Sequence, residues 1–245
     1  MRYFLIAVTF LTRLPVTFGG KDNYQAEDFQ KSIYFFPLIG LIIGLILWGS
    51  YYLLDLVFPK MISAALLLLI YVLLTGGLHL DGLIDTVDGV YGGMTKERRL
   101  EIMKDTNPGA FGVLGAVLVL VIKYSIFAQM EQGMLLFLIA APVLGRQAIV
   151  WMQVLYPCAR QEGLGKMFSA YNNLPAFGVT TGLTLVILVA FTQLLGLYVF
   201  LIAAAFCFLL ASQLSRLLGG LTGDTYGAGC ELIEIIVLLA VFIIV

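Results

Sequence analysis

The stretch MISAALLLLIYVLLTGGLHLDGLIDTVDGVYGG, residues 61–93, changes character at its middle. The first half is almost wholly apolar. The second half, from Gly76 on, gathers three aspartates, the chain's one histidine and six glycines. Several runs in the chain approach or exceed the roughly 20 apolar residues that cross a bilayer. With 61% hydrophobic and 12% charged residues and a mean hydropathy of +1.00, the chain reads as a polytopic membrane protein.

Working outward, seven spans are predicted at about 33–57, 61–78, 109–130, 134–156, 174–194, 197–217 and 228–245. The start, MRYFLIAVTFLTRLPVTF, lacks a small-residue cleavage site and is interrupted by Arg13 and Pro15. It is read as an uncleaved interfacial or re-entrant helix rather than a signal peptide. The fold class is therefore all-α, a membrane helical bundle, with residues 1–245 as one domain.

Basic residues orient it. With 79–108 inside, one side collects Arg13, Lys21, Lys31, Lys96, Arg98, Arg99, Lys104, Arg160, Lys166 and Arg216, against Lys60 alone on the other. Tyr34, Phe35 and Phe36 mark the inner boundary; Tyr51, Tyr52 and Phe58 mark the outer. The net charge of −1 offers no field for nucleic acid. Cys158, Cys207 and Cys230 are scattered and form neither a metal pair nor a disulfide framework. GGLHLDG at 76–82 is weakly echoed by GGLTGDT at 219–225, which also follows a span running inward.

Asp81, Asp85 and Asp88 are spaced i, i+4, i+7, which on a helix puts all three carboxylates on one face. Two like charges about 6 Å apart repel by about 0.7 kcal/mol in water and about 3 kcal/mol at an effective dielectric of 20. A divalent cation relieves this, because Mg²⁺ takes oxygen ligands from carboxylates and substrate phosphate. The bland alternative is a solvated acidic loop. Glu97, Glu101 and Asp105 form a second acidic row, interleaved with Lys96, Arg98, Arg99 and Lys104. Intrahelical ion pairs explain Glu97 and Glu101, whereas Asp105 precedes a span near the first cluster. Arg98 or Arg99 suits a phosphate, although positive-inside topology alone would also place them there.

A third acidic set is Asp224, Glu231 and Glu234, the last two inside an apolar span, where ionisable groups face an interior site. Arg146 lies mid-span and requires a carboxylate or a polar cavity. Lys123 is expected to snorkel to an outer end. His79 stands beside the aspartates as a base, a ligand or an interface residue.

Carboxylates, a divalent metal and nearby cations suit phosphoryl transfer, which depends on positioning and charge compensation. An ion-coupled transporter would place its acids near the midplane, and a metal-stabilised structural subunit also remains open.

LTGGLHLDGLIDTVDGVYGG, ERRLEIMKDTNPGAFG, ARQEGLGKMF and GGLTGDTYGAGCELIE resemble, in order along the whole chain, the cobalamin synthase (adenosylcobinamide-GDP ribazoletransferase) family. FLTRLPV at 10–16 and FPLIGLIIG at 36–44 are similar to it as well. The resemblance implies a Mg²⁺-dependent enzyme of the bacterial or archaeal cytoplasmic (inner) membrane, with its site facing the cytoplasm. It would join adenosylcobinamide-GDP to α-ribazole or its 5′-phosphate and release GMP. Its partners are these small molecules and the bilayer, not nucleic acid, and a homo-oligomer is left open.

On this reading Asp81, Asp85, Asp88 and Asp224 are the metal ligands, and Asp88 and His79 the catalytic groups. Arg98, Arg99, Asp105, Arg146, Arg160, Glu231 and Glu234 are the substrate-binding residues. The aspartate stretch also faintly resembles the CDP-alcohol phosphotransferase motif, but Ile84 and Asp85 stand where that motif has Ala-Arg. An enzyme of that kind acting on another alcohol is the alternative.

Overall fold

The computed structural model describes residues 1–16, 25–160 and 172–244. Lys21, Lys166 and most of ARQEGLGKMF lie outside the described residues. Among those described there is no strand, only a single bridge between Cys158 and Leu221.

The chain begins with α1 (Arg2–Leu11), an apolar helix too short to cross a bilayer, which buries Ile6, Ala7, Val8 and Leu11. Next, α2 (Ala26–Ser32) runs through a 3-10 turn into α3 (Phe36–Asp55), so the first long rod starts earlier than the predicted 33. α4 (Lys60–Thr75) returns, and α5 (Leu78–Gly92) leaves it at 89°. α5 therefore lies across the end of the bundle instead of prolonging the span. A short α6 (Lys96–Ile102) and α7 (Ala110–Gln129) follow. The remaining rods are α8 (Phe137–Leu155), α9 (Leu174–Thr192), α10 (Leu195–Leu218) and α11 (Gly223–Ile244). Among the described residues six helices are long and apolar enough to cross a membrane, or seven if the bent α4–α5 pair is counted as one broken or re-entrant element.

α8 is the axis of the bundle. Every residue from Phe137 to Val154 is buried, the polar Arg146, Gln147 and Gln153 included. It fits because α3 offers glycines at the contact: a Cβ on Gly40 would stand 2.5 Å from the Pro142 carbonyl oxygen, and one on Gly44 2.5 Å from the Ile139 Cα. Small residues let membrane helices meet backbone to backbone, where dispersion replaces the missing hydrophobic drive. By contrast α4, α7, α9 and α10 leave Leu69, Leu73, Leu118, Val121, Val186, Leu201 and Leu209 exposed, an apolar belt suited to lipid.

The ends sort by side. The end of α10 and the starts of α7 and α11 meet α5 and α6 at one end of the bundle. Long-range contacts tie this end together, among them Arg13 N–H to the Leu74 carbonyl at 2.8 Å, Arg99 to the Leu217 carbonyl at 3.4 Å, and Arg160 to the Met103 carbonyl at 3.2 Å.

Candidate active site at the glycine crossing

Two glycine corners build the site. α4 stops at Gly76 (φ 64°) and α5 starts at Gly77 (φ 68°). Two successive left-handed residues cost little only for glycine, and they produce the sharp turn into α5. α10 ends in the same manner at Gly219 (φ 72°) and Gly220 (φ 142°), just before α11. The sequence echo between 76–82 and 219–225 thus corresponds to a shared local geometry.

The two helices that leave these corners then cross. A Cβ on Gly82 would lie 2.8 Å from the Asp224 carbonyl oxygen, and one on Gly227 3.1 Å from the His79 carbonyl oxygen. This contact sets Asp81 and Asp85 of α5 beside Asp224 of α11, 139 positions or more apart in the chain.

The charges respond. Burial, then the neighbouring carboxylates Asp224 and Asp81, pushes the Asp85 carboxyl from its ordinary 3.8 up to about 7, with Arg160 acting in the other direction. Asp81 is exposed. Asp224 accepts from the Thr222 hydroxyl at 3.3 Å and pairs with Arg160 at 3.0 Å.

Asp88 does something different. It is buried, and its two oxygens accept the backbone N–H groups of Gly109 at 2.7 Å and Gly112 at 2.8 Å. It thereby closes the open N-terminal turn of α7 and staples α5 to it. Asp105 is exposed and bonded within its own turn to Asn107, whose backbone and side-chain N–H groups hold its carboxyl below the usual range. A cleft of about 280 Å³ opens among Asp85, Asp88, Asp105, Asn107 and Phe111. Among the described residues, no three His, Cys, Asp or Glu side chains converge closely enough to cage a metal by themselves. The donors at the crossing are nonetheless all hard carboxylate oxygens, the set that holds Mg²⁺ through one or two carboxylates plus substrate phosphate.

The other predicted site residues lie deeper, in a buried charge cluster. Glu234 accepts from Lys123 at 2.6 Å and is in contact with Arg146; Glu231 accepts from Lys123 at 2.6 Å and from the Tyr71 hydroxyl at 2.9 Å. The Lys123 ammonium also stands 4.0 Å from the centre of the Tyr71 ring, a cation–π contact. His79 Nδ1 is 3.4 Å from an Arg146 Nη. Arginine only donates, so that nitrogen is the acceptor. Its lone pair faces Arg146, not the cleft.

Arg146, Glu231 and Glu234 therefore have protein partners and tie α4, α5, α7, α8 and α11 together. Arg146 pairs with a carboxylate, as its mid-span position required. The expectation that Lys123 snorkels outward fails: it is 1% exposed and held by two glutamates. Charge balance could have found it, since two intramembrane glutamates and one arginine leave one negative charge to be met.

At the surface Arg98 pairs with Glu101 at 2.8 Å on its own helix. Arg99 packs over Gly93 and reaches the α10 end. Of the predicted substrate-binding arginines, Arg160 is the one drawn into the carboxylate cluster.

The profile of the cobalamin-5-phosphate synthase family matches residues 3–242. An adenosylcobinamide-GDP ribazoletransferase of Desulfitobacterium hafniense is 40% identical over 99% of this chain and 97% of its own length. Proteins of the same name are 41% identical in Pseudomonas putida, over 96% of both chains, and 37% identical in Clostridium acetobutylicum, over 98% of this chain and 96% of that one. No solved structure matches.

Proposed function

Because this chain belongs to the cobalamin-5-phosphate synthase family, we propose that it is an adenosylcobinamide-GDP ribazoletransferase. It joins adenosylcobinamide-GDP to α-ribazole or its 5′-phosphate and releases GMP. The near-full-length identity to relatives named for this reaction carries the reading. A ribazole hydroxyl forms the new P–O bond at the phosphorus bearing the corrinoid, the diphosphate bridge breaks, GMP takes the bridging oxygen, and the hydroxyl proton is lost.

The geometry suits that transfer. One or two of Asp81, Asp85 and Asp224, completed by the substrate's diphosphate, would hold Mg²⁺ at the end of the bundle, and the ion would supply charge compensation for the diphosphate and the leaving GMP oxygen. Asp88 and Gly112 fix the start of α7 against α5, and so shape one wall of the cleft. That cleft suits a phosphate or a sugar; the corrinoid would extend outward from the bundle's end. The buried Lys123–Glu231–Glu234–Arg146 cluster holds α5 from below through His79 and supports the aspartates without touching substrate.

The chain is a multi-pass membrane protein. The described basic residues crowd the end that carries the aspartates, which by the positive-inside rule turns this end to the cytoplasm. A cysteine replacing Lys96 in a cysteine-free variant should be shielded from an impermeant reagent added to intact cells, and labelling from outside would reverse the orientation. The activity is tested by GMP release from adenosylcobinamide-GDP plus α-ribazole by purified protein in detergent, with Mg²⁺ and with EDTA. Folded protein that makes no GMP overturns the reaction; equal turnover in EDTA overturns the metal.

A further inference from the structure

Arg160 shares an unpartnered Nε with Arg99 and Arg146, but among the described cations it is the one paired with a carboxylate of the aspartate cluster. The segment carrying it is pinned to the turn before α11: the Ala159 N–H donates to the Leu221 carbonyl at 2.7 Å, and the Leu221 N–H to the Pro157 carbonyl at 2.8 Å. Its side chain is divided between partners. One Nη meets Asp224 at 3.0 Å, the other donates to the Met103 carbonyl at 3.2 Å, and the buried Nε has no hydrogen-bond partner. The pair with Asp224 is thus single-pronged, without the geometry that makes arginine–carboxylate forks strong, and each side chain is about one-fifth exposed (21% and 22%).

We propose that Arg160 is an exchangeable counter-ion: it neutralises Asp224 in the metal-free protein, yields that carboxylate to a divalent cation, and passes its guanidinium to the diphosphate of the substrate. This rests on the metal-assisted reading above. A divalent ion held by Asp224 would share that carboxylate with the guanidinium 3.0 Å away, and like charges at such short range repel strongly. The displaced side chain keeps its anchored backbone and an orphan Nε donor, and a buried donor lacking an acceptor is an incomplete arrangement. Phosphate oxygens complete it, since a guanidinium matches them in a planar fork. Lys123 does not invite such an exchange: it is almost fully buried and bonded to two carboxylates at once.

The test uses the full-length protein in detergent, without substrate, with melting temperature followed against MgCl₂ concentration. The parent is expected to be stabilised by Mg²⁺. Arg160→Gln, which removes the competing charge, should reach half of its stabilisation at a lower Mg²⁺ concentration, on the order of 5-fold lower. Arg160→Lys keeps the charge and should keep the parent's midpoint within about 2-fold. In the GMP-release assay Arg160→Gln should raise KM for adenosylcobinamide-GDP and leave KM for α-ribazole unchanged. A parent that does not respond to Mg²⁺ overturns this proposal, whereas the metal reading itself falls only if GMP release is equal in EDTA. A responsive parent with an unshifted midpoint in Arg160→Gln overturns the exchange alone. Failure of Arg160→Gln to fold even in saturating Mg²⁺ makes Arg160 a structural latch and also overturns it.

Discussion

Lys123→Met removes one positive charge from a cluster containing two cations, Lys123 and Arg146, and two anions, Glu231 and Glu234. Methionine fills the space of the lysine stem but leaves an uncompensated negative charge among buried side chains. Breaking a buried pair by removing one partner costs about 3–5 kcal/mol. For a chain of this size each kcal/mol moves the melting temperature by about 2–4 °C, so a drop of about 6–20 °C is expected. Glu231 loses its ammonium partner and retains only the Tyr71 hydroxyl. Lys123→Met with Glu231→Gln restores neutrality and keeps a group that can bond Tyr71, so the double variant should recover much of the loss. Thermal and denaturant unfolding in one detergent, across parent, both singles and the double, yields the coupling. A single Lys123→Met within about 1 kcal/mol of parent, or a double no more stable than that single, would refute the reasoning.

Turnover should separate the aspartates. Asp81→Asn, Asp85→Asn and Asp224→Asn are each expected to lose about 10²-fold or more in GMP release with Mg²⁺ present; near-parent rates in all three would sink the metal site. Asp88→Asn turns an amide donor toward backbone N–H groups, so it should lose about 1–3 kcal/mol of stability equally in Mg²⁺ and in EDTA, and a loss confined to Mg²⁺ would make it a ligand instead. The Asp85 carboxyl is raised from 3.8 to about 7; the folded state binds that proton more tightly than the unfolded one. In EDTA its favourable contribution is full below about pH 4 and lost as pH rises toward 7, so melting temperature should fall across that window and Asp85→Asn should flatten the slope. Gly82→Ala sets a methyl 2.8 Å from the Asp224 carbonyl oxygen, whereas Gly49→Ala meets nothing within 4 Å. Only the former is expected to reduce turnover, by tenfold or more, and equal effects would mean that the crossing does not position the site.

Much of this was legible in the chain. Long apolar runs define the rods, and the glycine pairs with aspartates downstream mark where α5 and α11 begin. The 3.6-residue period put Asp81, Asp85 and Asp88 on neighbouring turns but could not say what faces each of them. Asp88 spends both oxygens on Gly109 and Gly112, 21 and 24 residues later, a contact made by tertiary approach alone. The inward turn of Lys123 escapes the sequence for a related reason. Hydropathy estimates depth along a rod but not azimuth, and α7 is apolar on every side, so nothing in its own sequence marks the face that turns inward. The partners that settle it belong to another helix.

Those partners also come late. Lys123 precedes Glu231 by 108 positions and Glu234 by 111. At about 5–20 residues per second, a ribosome needs roughly 5–20 s to make that interval. Until α11 emerges, α7 and α8 hold two cations without their glutamates, and each mid-helix cation disfavours insertion by about 2.5–3.5 kcal/mol. The charge balance of α7 and α8 is thus completed only by the last helix. A chain cut short before α11 would leave Lys123 and Arg146 without the carboxylates that neutralise them.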